Sequence, residues 1–197
     1  MYNKLKEKFV LKTITSLSFL VLGFYNYINN HEAIFIFLGL LFGFCGDIVL
    51  GLKERFSKNL CIMLGIIFFF IGHLFYLIVV IKGLKENFLY SLLFTFLLSI
   101  IFIYFFNKKK YNFSKLKPFC YLYLLISLLL FSFSLGNVVN KIDTFKIVIA
   151  LGVTFFVLSD LLLCHLYFKK QNNTIKLFNI FLYYSAQILI ALSIFWY

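Results

Sequence analysis

Two aspartates lie inside long apolar stretches, where a carboxylate is costly. Asp47 occurs in GFCGDIVLGLKE (residues 43–54) and Asp160 in VLSDLLLCHL (residues 157–166). A charged side chain near the middle of a membrane helix costs on the order of 3 kcal/mol on insertion scales, so it normally faces the protein interior and serves a site. Two buried carboxyl groups near one another favour keeping one proton between them. These residues therefore predict a catalytic acid/base pair, and they leave open which aspartate holds the proton.

Polar side chains also interrupt two other apolar stretches. The segment IGHLFY (residues 71–76) contains His73 and Tyr76 as i, i+3 neighbours, and YYSAQ (residues 183–187) contains Tyr184 and Gln187. Each of these groups needs a partner in the interior. We interpret His73 as a candidate catalytic base and the other three as candidate substrate-binding residues. A histidine that only bridges two helices is the alternative.

Helical periodicity places both aspartates on faces that neighbouring helices can approach. Gly39, Gly43 and Asp47 recur at i, i+4 and i+8, and Ser159 precedes Asp160 on a second small-residue face. Such faces let helices pack closely in a membrane. The alternative to catalysis is that the aspartates only hydrogen-bond across helices to hold the bundle together.

The number of residues between each polar side chain and the nearest flanking lysine gives an estimate of its depth in the membrane. Asp47 stands six residues before Lys53 and Asp160 nine before Lys169, which correspond to about 9 and 14 Å along a helix axis. His73 lies about 14 Å from the next basic residue on the opposite side, nearer the bilayer centre. The depths therefore favour contact between the two aspartates over contact of either with His73.

The ordered motifs GD with a leucine three residues later, GHLFY, SDLLL and YYSAQ resemble the YhhN family of membrane lysoplasmalogenases. The resemblance extends from about residue 36 to residue 190. It implies a hydrolase that cleaves the vinyl ether bond of lysoplasmalogens, giving a fatty aldehyde and a glycerophospho-alcohol. It also implies functional roles for Asp47, His73, Tyr76 and Asp160, and family members are often drawn with eight helices.

The implied chemistry is compatible with carboxyl catalysis. A vinyl ether is cleaved by protonating its β-carbon, and water then captures the resulting oxocarbenium ion as a hemiacetal. The reaction needs one protonated carboxyl group and one group that stabilises the cation or activates water, as in glycosidases.

The elements that position these residues are membrane helices. The chain has 197 residues, 63% of them hydrophobic and only 13% charged, which is more apolar side chain than a soluble core can bury. We predict an all-α transmembrane bundle forming a single domain, residues 1–197, with seven or alternatively eight helices. The seven apolar runs cover residues 10–29, 33–52, 60–81, 88–106, 117–135, 144–168 and 176–197.

The net charge of +12 is interpreted as topological, not as a nucleic-acid surface. With a cytoplasmic N-terminus, 15 of the 19 basic residues fall on the inner side, and only Lys82, Lys85, Lys141 and Lys146 fall on the other. The positive-inside rule therefore predicts an integral protein of a bacterial-type plasma membrane, with its N-terminus in the cytoplasm.

Basic residues at the inner rim match an anionic substrate. A single-chain lysophospholipid can keep its tail in the bilayer while its phosphate meets Lys53 and Lys169. The alternative is that both lysines are ordinary positive-inside anchors.

The sequence gives little support for a metal or cofactor site. Cys45, Cys61, Cys120 and Cys164 show no CxxC spacing, and no HExxH motif is present. A metal held by Asp47, His73 and Asp160 is disfavoured by their depths. We therefore expect catalysis without a cofactor.

A second function class remains open. Buried Asp, His and Tyr are also the groups of a proton relay, so the alternative is a proton-coupled small transporter. The spans lack paired Gly/Pro interruptions, although GN at residues 136–137 is a candidate break. A scaffold protein would leave the two buried acids unexplained. The headgroup preference and the oligomeric state are not determined by these residues.

Overall fold

The structure is a computed structural model that describes residues 2–84 and 86–197, with side chains from residue 9 onward. Lys85, predicted on the outer side, lies outside the described residues. The described chain contains seven α-helices joined by short turns: α1 (Tyr2–Asn29), α2 (Ile34–Gly51), α3 (Lys58–Ile81), α4 (Phe88–Lys108), α5 (Lys117–Asn140), α6 (Thr144–Phe168) and α7 (Asn173–Ser193).

All seven helices carry segments long and apolar enough to cross a membrane. The segments range from 21 to 27 residues in the described chain, and roughly 20 residues suffice to span the hydrocarbon layer. The prediction of an all-α bundle with seven membrane helices is therefore confirmed. Side-chain caps define two helix starts: Asp143 accepts a hydrogen bond from Phe145 N at 3.1 Å, and Asn172 from Thr174 N at 2.8 Å.

The candidate break at residues 136–137 is not found. Helix α5 continues to Asn140, five residues beyond the predicted end of the span. The Asn137 side chain donates to the backbone carbonyl of Val80 at 2.6 Å, and this bond ties the last turns of α5 to the end of α3. The amide nitrogen thus finds a partner without unwinding the helix, whereas Asn137 Oδ1 has none among the described residues.

The helices pack into a bundle in which α6 lies along α7 and α2 along α3, while α5 contacts α3, α4 and α6. Helix α4 is peripheral. Its described buried residues are Phe106 and three small polar residues, Ser91, Thr95 and Ser99, and α5 is the helix it packs against. The interior is therefore formed mainly by the other helices.

The small-residue face of α2 points inward, as predicted. Gly39, Gly43 and Asp47 are all buried. A Cβ at position 43 would lie 2.7 Å from Gln187 Nε2, and one at position 39 would overlap the ring of Tyr76. The two glycines thus let α2 approach polar side chains of α3 and α7 closely.

Candidate active site

Asp160 lies at the centre of a small polar cluster between α3, α5 and α6. The hydroxyl of Tyr123 on α5 donates to Asp160 Oδ2 at 2.7 Å. The Nε2 atom of His73 on α3 lies 3.8 Å from the same oxygen. The Asp160 side chain is 14% exposed, and this exposed part faces an internal cavity. His73, Tyr123 and Asp160 are called the Asp160 cluster below.

The orientation of His73 is fixed by the backbone and by aromatic rings. Its Nδ1 atom is 2.8 Å from the carbonyl oxygen of Phe69, and a carbonyl oxygen only accepts, so Nδ1 carries the hydrogen. The imidazole packs edge-on against Tyr123 and Phe156, with centroid distances of 5.2 and 4.8 Å. These contacts aim Nε2 at Asp160.

This orientation favours a proton on one member of the His73–Asp160 pair, although at 3.8 Å the two atoms are not hydrogen-bonded. A neutral imidazole with hydrogen on Nδ1 presents only a lone pair at Nε2. An ionised carboxylate also presents only lone pairs, so the two acceptors would repel each other. The pair is therefore compatible with a proton held either by the Asp160 carboxyl or by His73 Nε2.

The cavity beside Asp160 is apolar except at this cluster. Its volume is about 70 Å³, which is room for several water molecules. Asp160, Tyr123 and Ser127 form its main polar wall, and every lining residue belongs to a candidate membrane span. The other lining residues include Leu50, Ile66, Phe69, Phe106, Val157 and Phe168. The arrangement exposes one carboxyl group to an apolar chamber inside the membrane layer.

Asp47 occupies a different setting. Ser16 Oγ and Tyr183 OH donate to its Oδ2 atom at 2.6 and 2.8 Å, and Lys12 Nζ lies 3.0 Å from its Oδ1 atom. Only 4% of the Asp47 side chain is exposed. Three donors, one of them a cation, satisfy an ionised carboxylate. Asp47 thus joins α1, α2 and α7.

Three predicted substrate-binding residues belong to the same network as Asp47. Gln187 Nε2 donates to Tyr183 OH at 3.0 Å, and Tyr76 OH is 3.5 Å from Gln187 Oε1. Tyr184 OH lies 3.3 Å from Ser16 Oγ. This chain of contacts from Lys12 to Tyr76 is called the Asp47 network below. None of its members lines the cavity beside Asp160.

Aromatic rings, and no hydrogen bond, connect the Asp47 network to the Asp160 cluster in the described chain: the rings of Tyr76 and His73 have a centroid distance of 6.3 Å. Phe69, Phe156 and Tyr183 pack edge-on against one another, with centroid distances of 5.5–6.1 Å. In the described chain no hydrogen bond or ion pair joins Asp47 to Asp160. The expectation from helix depths is therefore corrected: His73, not Asp47, is the residue brought next to Asp160.

The two predicted phosphate-binding lysines differ in position. Lys53 Nζ donates to Tyr167 OH at 3.1 Å and lies 4.7 Å from the centroid of the same ring, and Tyr167 lines the cavity. Lys169 instead donates to the backbone carbonyl of Lys109, at the end of α4. Lys53 is thus adjacent to the cavity, whereas Lys169 fastens two helix ends together.

No metal site is evident in this part of the molecule. Within residues 2–84 and 86–197, no group of three or more His, Cys, Asp or Glu side chains is arranged to hold a metal ion. Asp160 and His73 alone provide too few protein ligands for a structural or catalytic zinc.

The comparison with known protein families extends over nearly the whole chain. The YhhN family profile matches residues 7–194, which include both aspartates, His73, helices α2–α7 and all of α1 except its first residues. The chain belongs to the YhhN family. No curated protein and no solved structure matches it. The YhhN family includes lysoplasmalogenases.

Sequence reasoning missed several residues of this YhhN protein. Tyr123 is one of 13 tyrosines, and no feature of its surroundings distinguishes it. Ser127 lies one turn further along α5 and is equally unmarked. Lys12 and Ser16 did carry a signal, because a lysine within an apolar run followed by a serine at i+4 places two polar groups on one helix face.

Proposed function

We propose that this protein hydrolyses the vinyl ether bond of a lysoplasmalogen, releasing a fatty aldehyde and a glycerophospho-alcohol, at the Asp160 cluster. The observation that carries the proposal is a carboxyl group that lies 3.8 Å from a histidine nitrogen and lines an apolar cavity whose walls are candidate membrane spans. Membership of the YhhN family supports the same activity.

Asp160 is the acid in this proposal. Its carboxyl proton is transferred to the β-carbon of the vinyl ether, and the electron pair of the double bond forms the new C–H bond. The product is an oxocarbenium ion, which the newly formed Asp160 carboxylate stabilises electrostatically. General acid catalysis by a positioned group typically contributes 10²- to 10⁴-fold.

His73 is the base in the second step. Water adds to the oxocarbenium carbon and gives its proton to His73 Nε2, forming a hemiacetal. The hemiacetal collapses when the protonated His73 returns the proton to the leaving alcohol oxygen and the hemiacetal hydroxyl returns its proton to Asp160. Both groups regain their starting protonation states, and the net reaction consumes one water.

Asp47 has a structural role in this proposal. Its carboxylate already has three donors and does not line the cavity. We therefore assign it to holding α1, α2 and α7 together, and the acid/base pair becomes Asp160 with His73.

Lys53 provides the contact for the substrate phosphate. It lies beside Tyr167 at the end of α6, and Asp160 lies seven residues deeper on the same helix, about 10 Å along the axis. A lysophospholipid held by its phosphate near Lys53 places its glycerol and vinyl ether inside the cavity. The inner rim is cytoplasmic in the proposed orientation, with the N-terminus on the same side of a bacterial-type plasma membrane.

The experiment uses purified protein in detergent, a lysoplasmalogen and measurement of free aldehyde. The wild type releases aldehyde, and D160N lowers the rate by at least 100-fold. E32Q, which removes an exposed carboxylate, retains the wild-type rate. The saturated alkyl ether analogue has no double bond to protonate and is not cleaved. Wild-type turnover by D160N contradicts the assignment of the acid.

One observation favours a second function. The Asp47 network forms a continuous series of polar contacts from the partly exposed Lys12 to the buried Tyr76, as a proton relay does. The detergent assay separates the two functions, because transport needs a sealed compartment and hydrolysis does not. Aldehyde release in detergent supports the hydrolase, and proton flux into liposomes without aldehyde release supports the transporter.

A further inference from the structure

Ser127 is an unusual serine for a membrane helix. Its hydroxyl has no hydrogen-bond partner among the described residues, although the side chain is only 2% exposed. Such hydroxyls normally donate to the carbonyl one turn earlier, as Thr95, Ser99 and Thr154 do in this protein. Leaving a buried hydroxyl unpaired costs free energy, so the position calls for an explanation.

The surroundings of Ser127 provide one. The side chain lines the cavity and is close to the Tyr123 hydroxyl and the Asp160 carboxyl, although neither approach has the distance and angle of a hydrogen bond. His73 Nε2, which lies 3.8 Å from Asp160 Oδ2, is the second buried polar atom of this region that has no hydrogen-bond partner among the described residues. One donor and acceptor, Ser127 Oγ, and one acceptor, neutral His73 Nε2, therefore flank the same carboxyl group.

We propose that Ser127 and His73 bind the water molecule that attacks the oxocarbenium ion. This inference rests on the proposed lysoplasmalogenase function and adds Ser127 to its catalytic residues. A buried water normally makes about three hydrogen bonds to otherwise unpaired polar groups. Ser127 Oγ and His73 Nε2 accept the two O–H groups of the water, and the protonated Asp160 carboxyl donates to its oxygen until that proton is transferred to the substrate. Ser127 and Asp160 line the cavity, and His73 Nε2 lies 3.8 Å from Asp160 Oδ2 without lining it.

In this proposal each proton of that water has a defined acceptor. One O–H donates to His73 Nε2 and is the proton that His73 removes during attack. Ser127 Oγ accepts the other O–H, which leaves one lone pair of the water oxygen directed at the oxocarbenium carbon. The oxygen forms the new C–O bond while its proton moves to Nε2, so Ser127 positions the water without itself gaining or losing a proton.

The variant S127A tests the inference, and S132A is its matched control. Ser132 lies on the same helix, is also 2% exposed and also lacks a partner, but it does not line the cavity. Loss of one neutral hydrogen bond to the water lowers the rate of aldehyde release roughly tenfold in S127A. S132A stays near the wild-type rate.

Deuterium exchange separates water capture from protonation. In D₂O the wild type captures the oxocarbenium ion quickly, so recovered substrate contains no deuterium at the vinyl β-carbon. In S127A capture is slower, the ion reverts by returning a proton to Asp160, and deuterium accumulates in the recovered vinyl ether. Mass spectrometry of the unreacted lipid measures this directly.

Slower aldehyde release by S127A, together with deuterium at the vinyl β-carbon of the recovered substrate, supports the inference. Wild-type release by S127A overturns it and leaves the hydrolase function standing. Equal losses in S127A and S132A without deuterium incorporation also overturn it, because they indicate a packing defect. Absence of aldehyde release by the wild type overturns the proposed function and this inference with it.

Discussion

The two buried aspartates differ in how many donors they have. Asp47 receives a hydroxyl from Ser16, a phenol from Tyr183 and the ammonium of Lys12. Asp160 receives one phenol, from Tyr123, and otherwise faces His73 Nε2 and the cavity. A carboxylate with many donors is stable in its ionised form, whereas one with few donors retains a proton at lower cost. The same residue type thus performs two tasks according to its neighbours.

Tyr123 is expected to hold the Asp160 carboxyl in position for proton transfer. Y123F removes the hydroxyl that donates to Oδ2 at 2.7 Å and leaves the ring packing against His73 intact. We expect kcat to fall roughly tenfold with little change in KM, because the hydroxyl orients the acid and does not bind the phosphate. Steady-state kinetics of aldehyde release measures both constants.

Tyr121 provides the control for this change. Its hydroxyl donates to Asn107 at 3.2 Å on the exposed surface of α5. Y121F makes the same chemical change two residues away and is expected to leave kcat unaltered. Equal losses of kcat in Y121F and Y123F would argue against a positioning role for Tyr123.

At the scale of the helices, the Asp47 network fastens α1 to α2 and α7. The K12M substitution leaves a buried carboxylate with no cation, and we expect the free energy of unfolding to fall by about 2 kcal/mol. This value lies below that for fully buried pairs, because the Lys12 side chain is 34% exposed. Thermal unfolding in detergent measures the change.

A second substitution tests whether the unpaired charge of Asp47 causes the loss of stability in K12M. D47N in the K12M background removes the unpaired carboxylate, so the double variant is expected to regain part of the lost stability. Aldehyde release per folded molecule stays close to wild type in the double variant if Asp47 is structural. Complete loss of turnover in a folded double variant would return Asp47 to the catalytic residues.

Helix number and inward faces were predictable because a membrane imposes them. A run of about 20 apolar residues needs to form a helix, and glycine spacing indicates which face a neighbour approaches. Which neighbour it meets is not encoded in one helix, so the contacts of Asp47 with Ser16 and Lys12 could not be derived. The depth of His73 was misjudged because counting residues from one flanking lysine assumes that each helix crosses the membrane upright and begins at its surface. Helices of 24 and 25 residues are longer than the roughly 20 that a crossing needs, so the count does not fix depth.

For the whole molecule, the proposed function matches an amphiphile with one anionic group to the apolar cavity and the basic residues at its rim. Lys53 is a basic residue placed against a cavity-lining side chain, Tyr167. We expect K53M to raise the KM for a lysoplasmalogen several-fold while kcat is unchanged, since the lysine contacts the phosphate and not the reacting bond. The same kinetics with the phosphate-free alkenylglycerol provide the comparison. We expect K53M to leave its KM unchanged, because this substrate has no phosphate for Lys53 to contact.

Lys58 supplies the matched control at this rim. It begins α3 and is exposed, so K58M removes a positive charge of the same loop without touching the cavity. An equal rise in KM for K58M and K53M would indicate general electrostatic attraction to the rim. A rise confined to K53M indicates a specific phosphate contact.

The lining of the cavity has a kinetic consequence. Every lining residue belongs to a candidate membrane span and the proposed substrate is a lipid, so we expect the substrate to enter from the surrounding bilayer or micelle. The concentration that governs the rate is then the mole fraction of substrate in that amphiphile phase. Adding detergent at constant total substrate lowers the mole fraction of substrate in the micelles and slows turnover. Rate constants for this protein therefore need to be expressed relative to the mole fraction of substrate in the membrane or micelle.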